Sequence, residues 1–164
     1  MDSMVEIFME RANNEVLSAQ SLKKLTEEPK LKEDLELPAD ITFYSAIISH
    51  SYYAIFYAAK AILLTKGIKT FPPEIHKNTF EEFKKHFVDT GVLDVKLLEI
   101  YKKMVVRADE LLEIFREEKW KRGNFTYNTI PQANKEPADD SLKNSKIFVS
   151  NIMQVIRKMK NGKN

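Results

Sequence analysis

The feature that most constrains the fold is a run of 19 residues, 41–59, that carries no formal charge. A helix of this length could cross a lipid bilayer. Tyrosines of a membrane helix would lie at its two ends, whereas here polar side chains are scattered through the middle. These polar residues are Thr42, Tyr44, Ser45, Ser49, His50, Ser51, Tyr52, Tyr53 and Tyr57. The pattern therefore predicts the buried central helix of a soluble bundle, with no contact to a membrane.

Composition favours one helical domain. The chain has 164 residues, of which 43% are hydrophobic and 30% charged, a balance typical of a folded globule. It has only four glycines and six prolines, which argues against a turn-rich all-β fold. The absence of cysteine excludes disulfides and thiolate metal sites and suits a reducing compartment. The N-terminal residues include early acids and no apolar core, so we expect a cytoplasmic protein without a signal peptide.

Apolar residues recur at steps of three and four in five segments, which predicts five helices. The predicted bounds are 4–26, 41–66, 79–88, 94–118 and 139–160. Ser3 with Glu6, and Thr79 with Glu82, have the spacing of capping boxes at the starts of the first and third helices. We expect an all-α, up-and-down bundle that forms a single domain over residues 1–164. An acidic linker, 27–40, and a long irregular loop, 119–138, would connect its helices.

The long loop contains a segment whose composition suits a nucleotide or single-stranded RNA. Cations can bind phosphates while aromatic faces stack on bases. The residues concerned are Lys119, Trp120, Lys121, Arg122, Phe125 and Tyr127. The alternative is a loop whose aromatic side chains pack on the bundle while its cations remain in water.

The remaining candidate residues are the dispersed histidines and one charged pair. His76 precedes a predicted helix start, where backbone amides could help to bind an anion. His50 fits a hydrogen-bonded core residue, and His86 fits a solvated face. Arg107 and Asp109 are two residues apart, so they point to different faces, and surface ion pairs are expected of them. No histidine pair has metal-ligand spacing and no P-loop or EF-hand is present, so neither a metal nor another cofactor is expected.

Residues 51–64, with the sequence SYYAIFYAAKAILL, resemble the core helix of the HEPN family, the nucleotide-binding domains of higher eukaryotes and prokaryotes. Further pieces follow in the order of that family. They are His76, the Phe80, Phe83 and Phe87 pattern, Thr90 with Gly91, the segment 121–127 and the stretch 146–149. The resemblance therefore covers most of the chain.

This resemblance implies a helical bundle that often dimerises, with a cleft at or near the interface, so a homodimer is expected. Many members of the family form one half of a toxin–antitoxin pair with a minimal nucleotidyltransferase. The nuclease members cut RNA without metal, using an arginine that is followed four to six residues later by a histidine. Here Tyr127 follows Arg122 at that distance. Tyrosine, with a reference pKa of about 10, is a poor base near neutral pH.

The sequence thus favours a HEPN-type module that binds a nucleotide or RNA and acts with a nucleotidyltransferase-like partner, in a toxin–antitoxin or defence pair. One alternative is a metal-independent endoribonuclease, in which Arg122 stabilises charge on the phosphate and Tyr127 stands in the place of the histidine. A purely structural adaptor is a second alternative.

Overall fold

The computed structural model describes residues 3–120 and 134–162, and these residues form helices and loops without any strand. The helices are α1 (Ser3–Glu27), α2 (Pro29–Asp34), α3 (Tyr44–Leu64), α4 (Ile75–Phe83), α5 (Val95–Trp120) and α6 (Lys135–Asn161). A short π-helical turn, Lys84–Val88, continues α4. The all-α bundle predicted from the sequence is confirmed.

Helix α3 lies at the centre of the bundle. It packs most extensively against α1 and α6, and also contacts α4 and α5. Within the described residues it is the one helix long and apolar enough to span a membrane, but 67% of its most apolar window is buried inside the bundle. Fully buried alanines such as Ala54, Ala58 and Ala61 let the neighbouring helices approach closely. The apolar stretch is therefore the core helix that the sequence predicts.

The segment predicted as an acidic linker, 27–40, contains the short helix α2. Pro29 occupies the first helical turn, where its missing N–H costs no hydrogen bond. The side chain of Lys32 is buried and donates to the Ala39 carbonyl oxygen at 3.0 Å, which folds the end of the segment back onto α2. The prediction of a linker without helix was wrong. It was based on the acidic residues of this segment and did not use Pro29 as a signal for the start of a helix.

Helix α4 begins four residues before the predicted start at Thr79. Thr79 is a buried interior residue whose hydroxyl donates to the Ile75 carbonyl oxygen at 2.6 Å, so it does not form the predicted capping box with Glu82. The chain can turn into a helix directly after Pro73, because a proline is tolerated ahead of the first turn. His76 consequently lies in the first turn of α4 and not in a loop before it.

Helix α6 begins at Lys135, four residues earlier than predicted. Pro137 lies in its first turn, where backbone N–H groups have no partner within the helix and a proline is therefore tolerated. Helix α5 runs to Trp120, so residues 119–120 and 135–138 of the predicted loop are helical. Residues 121–133 lie outside the described part of the chain.

Candidate functional site

A cavity of about 480 Å³ opens where α3, α4 and α5 meet. Its volume is within the range of small-molecule sites in proteins, about 300–1,000 Å³. The lining residues are Ser49, Tyr52, Tyr53, His76, Lys77, Phe80, Val105, Ala108, Asp109 and Leu111. Most of this wall is apolar or aromatic, and a few charged groups stand at its edge, which is the usual composition of a ligand site.

A hydrogen bond between α3 and α4 forms one wall of the cavity. The Tyr52 hydroxyl and the His76 Nδ1 atom are 2.7 Å apart. The His76 ring also lies 4.3 Å from the Phe56 ring, centroid to centroid. Burial, with a smaller contribution from the nearby Tyr53 and Asp109, raises the pKa of Tyr52, so this residue is a neutral phenol at physiological pH. The bond fixes the orientation of the imidazole relative to α3.

His76 lies at the edge of the cavity, where its side chain is partly exposed. Burial lowers its pKa below 6.5, the positive charge of Lys60 lowers it further, and Asp109 opposes this shift. Its Nδ1 atom is engaged by Tyr52, while no partner of Nε2 is found among the described residues. One ring nitrogen is therefore available to a ligand.

Tyr53 presents an aromatic face to solvent beside the cavity. Tyr52 is only 8% exposed, whereas its neighbour Tyr53 is 40% exposed. The Tyr53 ring stacks at 6.2 Å from the ring of Tyr57 and meets the His76 ring edge-on at 6.0 Å. A rigid, partly exposed ring of this kind can stack on a planar ligand.

Two opposite charges flank the cavity. Lys77 comes from α4 and Asp109 from α5, and both side chains are exposed. Asp109 lies on a different face of α5 from Arg107, as the two-residue separation predicts. Arg107 instead donates to the Asp140 carboxylate at 2.8 Å and to the Ser141 hydroxyl at 3.0 Å. It therefore joins α5 to α6, and only Asp109 faces the cavity.

The other two histidines are engaged elsewhere. The His50 Nδ1 atom is 2.6 Å from the Glu15 carboxylate, which links α3 to α1, and the residue is half-buried. The His86 Nε2 atom lies 3.0 Å from the Glu82 carboxylate in a half-buried position. No group of three or more histidine, aspartate or glutamate side chains within the described ranges has the arrangement of a metal site.

The comparison with protein families decides the identity of the fold. The model of the HEPN domain matches residues 6–155. The chain belongs to the HEPN family. This confirms the resemblance carried by residues 51–64 of the core helix.

Several relatives of this HEPN domain come from archaea. A Methanocaldococcus jannaschii protein named "putative toxin" is 35% identical over 105 residues, which cover 59% of this chain and 68% of that protein. A second protein of the same organism with the same description is 27% identical over 116 residues, or 71% of this chain and 73% of that protein. A UPF0332 protein of Pyrococcus horikoshii is 45% identical over 47 residues, which cover 29% of this chain and 31% of that protein. No solved structure gives a significant match.

Among the predicted site residues, His76 is the one whose side chain the structure describes, and it lines the HEPN cavity. The backbone of Lys119 and Trp120 forms the end of α5, and their side chains lie outside the described part. Lys121, Arg122, Phe125 and Tyr127 also lie outside the described residues. Their assignment to a nucleotide or RNA site, and that of Arg122 and Tyr127 to catalysis, stay predictions.

Sequence reasoning missed the residues that surround His76 in this HEPN domain. Lys77 and Asp109 belong to helices that are separated in the sequence, so no spacing rule joins them. The detectable signal was the Tyr52–Tyr53 pair, because adjacent residues on a helix are 100° apart and cannot both be buried on one narrow face. One of the two tyrosines had to face outward.

Proposed function

We propose that this HEPN domain is a toxin-like module that binds a nucleotide or RNA and acts with a nucleotidyltransferase-like protein in a toxin–antitoxin or defence pair. The observation that carries the proposal is the cavity in which Tyr53, His76, Lys77 and Asp109 converge. Each of these four groups matches a chemical feature of a nucleotide.

Tyr53 and His76 supply flat aromatic surfaces on which a base can stack. Lys77 supplies a cation for a phosphate. The Asp109 carboxylate can accept a hydrogen bond from an exocyclic amino group of a base, and the free Nε2 of His76 can take part in a further one. A cavity of about 480 Å³ is large enough for a base and its sugar and too small for a folded partner.

The predicted segment 119–127 fits the same proposal. Helix α5 carries Asp109 and Leu111 on the cavity wall and continues to Trp120, from which this segment follows directly. Its cations and aromatic residues would add contacts to a ligand that extends beyond the cavity. A free nucleotide could bind in the cavity alone, whereas RNA would use both.

Titration with nucleotides and short single-stranded RNAs tests the proposal. Tyr53→Leu should weaken binding about 5- to 150-fold, since stacking on one aromatic ring contributes about 1–3 kcal/mol. Tyr44→Leu is the matched control, because Tyr44 lies on the same helix but packs in a separate cluster beside Ala19. Equal affinity in wild type and both variants, or the absence of binding to every nucleotide and RNA, would contradict the proposal and favour a structural adaptor.

The toxin role rests on the relatives, and the partner rests on the family resemblance. Two proteins that are similar to this chain carry the name "putative toxin", which supports a toxin-like role here. A small nucleotidyltransferase encoded beside this gene is the expected partner, and co-expression of the two should yield a stable complex. If the neighbouring gene encodes such a protein and the two chains elute separately, the partnership is contradicted.

Endoribonuclease activity is a second candidate, favoured by the free Nε2 atom of His76 and by the lowered pKa of its imidazole. A base with a pKa near or below neutrality can take the proton of a 2′-hydroxyl, which Tyr127 cannot do efficiently. Incubation of labelled RNA with the protein in EDTA tests this function. Cleavage that is lost in both His76→Ala and Arg122→Ala would establish the endoribonuclease. Intact RNA would contradict the endoribonuclease and favour the binding module.

A further inference from the structure

A strip of aromatic rings and two cations crosses the bundle surface from α1 to the cavity. The rings of Phe8 and Tyr57 stack at 6.1 Å, and those of Tyr57 and Tyr53 at 6.2 Å. The Arg11 guanidinium lies over the Tyr57 ring, 5.6 Å from its centroid. The Lys60 ammonium lies 5.0 Å from the centroid of the Phe8 ring. These five residues form a continuous surface, which we call the aromatic strip.

Neither cation of the strip has a counterion in the part of the chain that the structure describes. Among the described residues, no carboxylate forms a hydrogen bond or an ion pair with Arg11 or with Lys60. Positions three and four residues from Lys60 along α3 carry only aromatic and aliphatic side chains. The acid four residues after Arg11 is Glu15, whose carboxylate is hydrogen-bonded to His50. The helices therefore place two positive charges together without neutralising them.

Some other partly buried cations in the described residues are paired with carboxylates, whereas the buried Lys32 donates to a backbone carbonyl oxygen. Lys23 contacts both Glu27 and Asp139, and Arg107 contacts Asp140. The two cations of the strip also influence each other and the cavity. The pKa of Lys60 is lowered by burial and by the charge of Arg11, and the charge of Lys60 in turn contributes to the low pKa of His76. The charge of Arg11 therefore acts on Lys60, and the charge of Lys60 acts on His76, where Asp109 opposes its effect.

We propose that Arg11 and Lys60 bind phosphate groups of the nucleotide or single-stranded RNA whose base occupies the cavity beside Tyr53. This inference rests on the proposed function and adds further phosphate contacts, on α1 and α3, to the one that Lys77 provides on α4. Tyr53 belongs to both surfaces, since it lines the cavity and stacks with Tyr57 of the strip. A chain of nucleotides could thus leave the cavity along the rings while its phosphates meet the two cations.

The exposed ring of Tyr53, beside the half-buried rings of Phe8 and Tyr57, favours a nucleic acid over an acidic protein segment as the occupant. An acidic peptide would need the two cations only, whereas alternating bases and phosphates match rings and cations together. Tyr53 is 40% exposed, so its ring is open to a base. The free nucleotide and the RNA share this chemistry, and the experiment separates them.

Binding of a short, fluorescein-labelled single-stranded RNA, measured by anisotropy between 50 and 200 mM salt, tests the inference. The double variant Arg11→Gln with Lys60→Gln should lose roughly tenfold or more in affinity. Its plot of log K against log salt should be shallower by about 1.4, because each phosphate contact on a single strand contributes about 0.7. The matched control is Lys143→Gln with Lys146→Gln, which removes two exposed charges on α6 and should leave the affinity and the slope nearly unchanged.

Competition by AMP distinguishes the two sources of phosphate. If AMP displaces the RNA and binds the double variant more weakly, the site takes a free nucleotide; if only RNA binding changes, it takes a strand. Arg11 is exposed, so Arg11→Gln alone, with about half of the slope change, serves if the Lys60 substitution prevents folding. Both outcomes of the AMP competition support the inference.

Three results would overturn it. If wild type binds RNA, the double variant matches it and Tyr53→Leu binds poorly, the phosphate site is wrong while the proposed function stands. If the double variant binds RNA normally but no longer binds the nucleotidyltransferase-like partner, the strip is a protein interface. If wild type binds neither AMP nor RNA at 50 mM salt, both proposals fail.

Discussion

At the scale of single residues, the charged neighbours of a titratable side chain set the direction of its pKa shift. His76 takes its low pKa from burial and from its electrostatic neighbours Lys60 and Asp109, which act in opposite directions. Asp140 is held by Lys103 and Arg107 at 2.7 and 2.8 Å. The first group belongs to the cavity and the second joins two helices, so their titrations report on different properties.

The pKa of His76, followed by NMR of its ring protons, should respond in opposite senses to two substitutions. Lys60→Gln removes a positive charge and should raise the pKa, whereas Asp109→Asn removes a negative charge and should lower it further. The pKa of His76 is lower in the folded state than the value of 6.5 expected for the unfolded chain. The free energy of unfolding of wild type should therefore decrease as the pH falls from 6.5 through the lower folded-state pKa. Shifts of the same sign in both variants would contradict the arrangement.

The ion pair of Asp140 should contribute stability that depends on pH. Burial alone would raise the pKa of Asp140, but the hydrogen bonds and charges of Lys103 and Arg107 outweigh burial and hold it below 3.8. Its contribution is therefore complete above pH 3.8 and is lost as the pH falls through the lower folded-state pKa. Asp140→Asn should cost about 1 kcal/mol in urea unfolding at pH 7 and almost nothing in strong acid.

Asp89→Asn is the control for this measurement. Asp89 pairs with Lys84 at 2.8 Å, but both side chains are about half exposed, so the substitution should change stability by less than about 0.5 kcal/mol. An equal loss in both variants at pH 7 would mean that Arg107 does not hold α5 against α6.

At the scale of elements, the bundle depends on α3. Its residues Ile47, Ile48, Ile55 and Ile62 are all fully buried, and α1 and α6 cover most of its surface. The helix needs no strong caps of its own, since no side chain caps its N-terminus and the turn after it ends at Gly67 with φ of 73°. Packing and not local propensity holds it in place.

Ile62→Ala should therefore be severely destabilising, by about 2–5 kcal/mol, because it leaves a cavity in the centre of the bundle. Ile147→Ala on α6 is the matched control, since Ile147 is 41% exposed and its truncation should cost far less. Urea unfolding followed by circular dichroism measures both. Similar losses in the two variants would place the core elsewhere.

The contrast between packing and local propensity also explains which elements the sequence could predict. Long apolar periods predicted α1, α3, α5 and α6 to within four residues at each end, because tertiary packing selects these stripes. The short α2 and the start of α4 were missed, since they depend on Pro29 and on the turn after Pro73 and carry little apolar period. In the cavity, His76 could be named in advance, whereas Asp109 reaches it only because the separate helix α5 packs beside the site. Lys77 follows His76 on α4, but no sequence pattern marks it as a site residue.

At the scale of the whole molecule, exposed apolar side chains suggest that the bundle has more surface to bury. Met4, Ile7 and Phe71 are between 42% and 64% exposed. We propose, as the family resemblance implies, that a second copy of the chain covers part of this surface. The net charge of only +2 offers little repulsion against such an association.

Sedimentation equilibrium at micromolar concentration should accordingly give a mass near twice the 19.1 kDa of one chain. Ile7→Glu places a charge on the exposed face of α1 and should shift the mass toward that of the monomer, while Glu99→Gln on α5 should not. A mass of one chain at every concentration would contradict the homodimer.

Ultraviolet cross-linking of wild-type protein to single-stranded RNA, mapped by mass spectrometry, tests the central claim most directly. The account predicts cross-links at Tyr53 or at neighbouring aromatic residues of α3, lost when Tyr53 is replaced by leucine. Cross-links confined to residues 119–127, to a face remote from the cavity, or to no residue at all would contradict it.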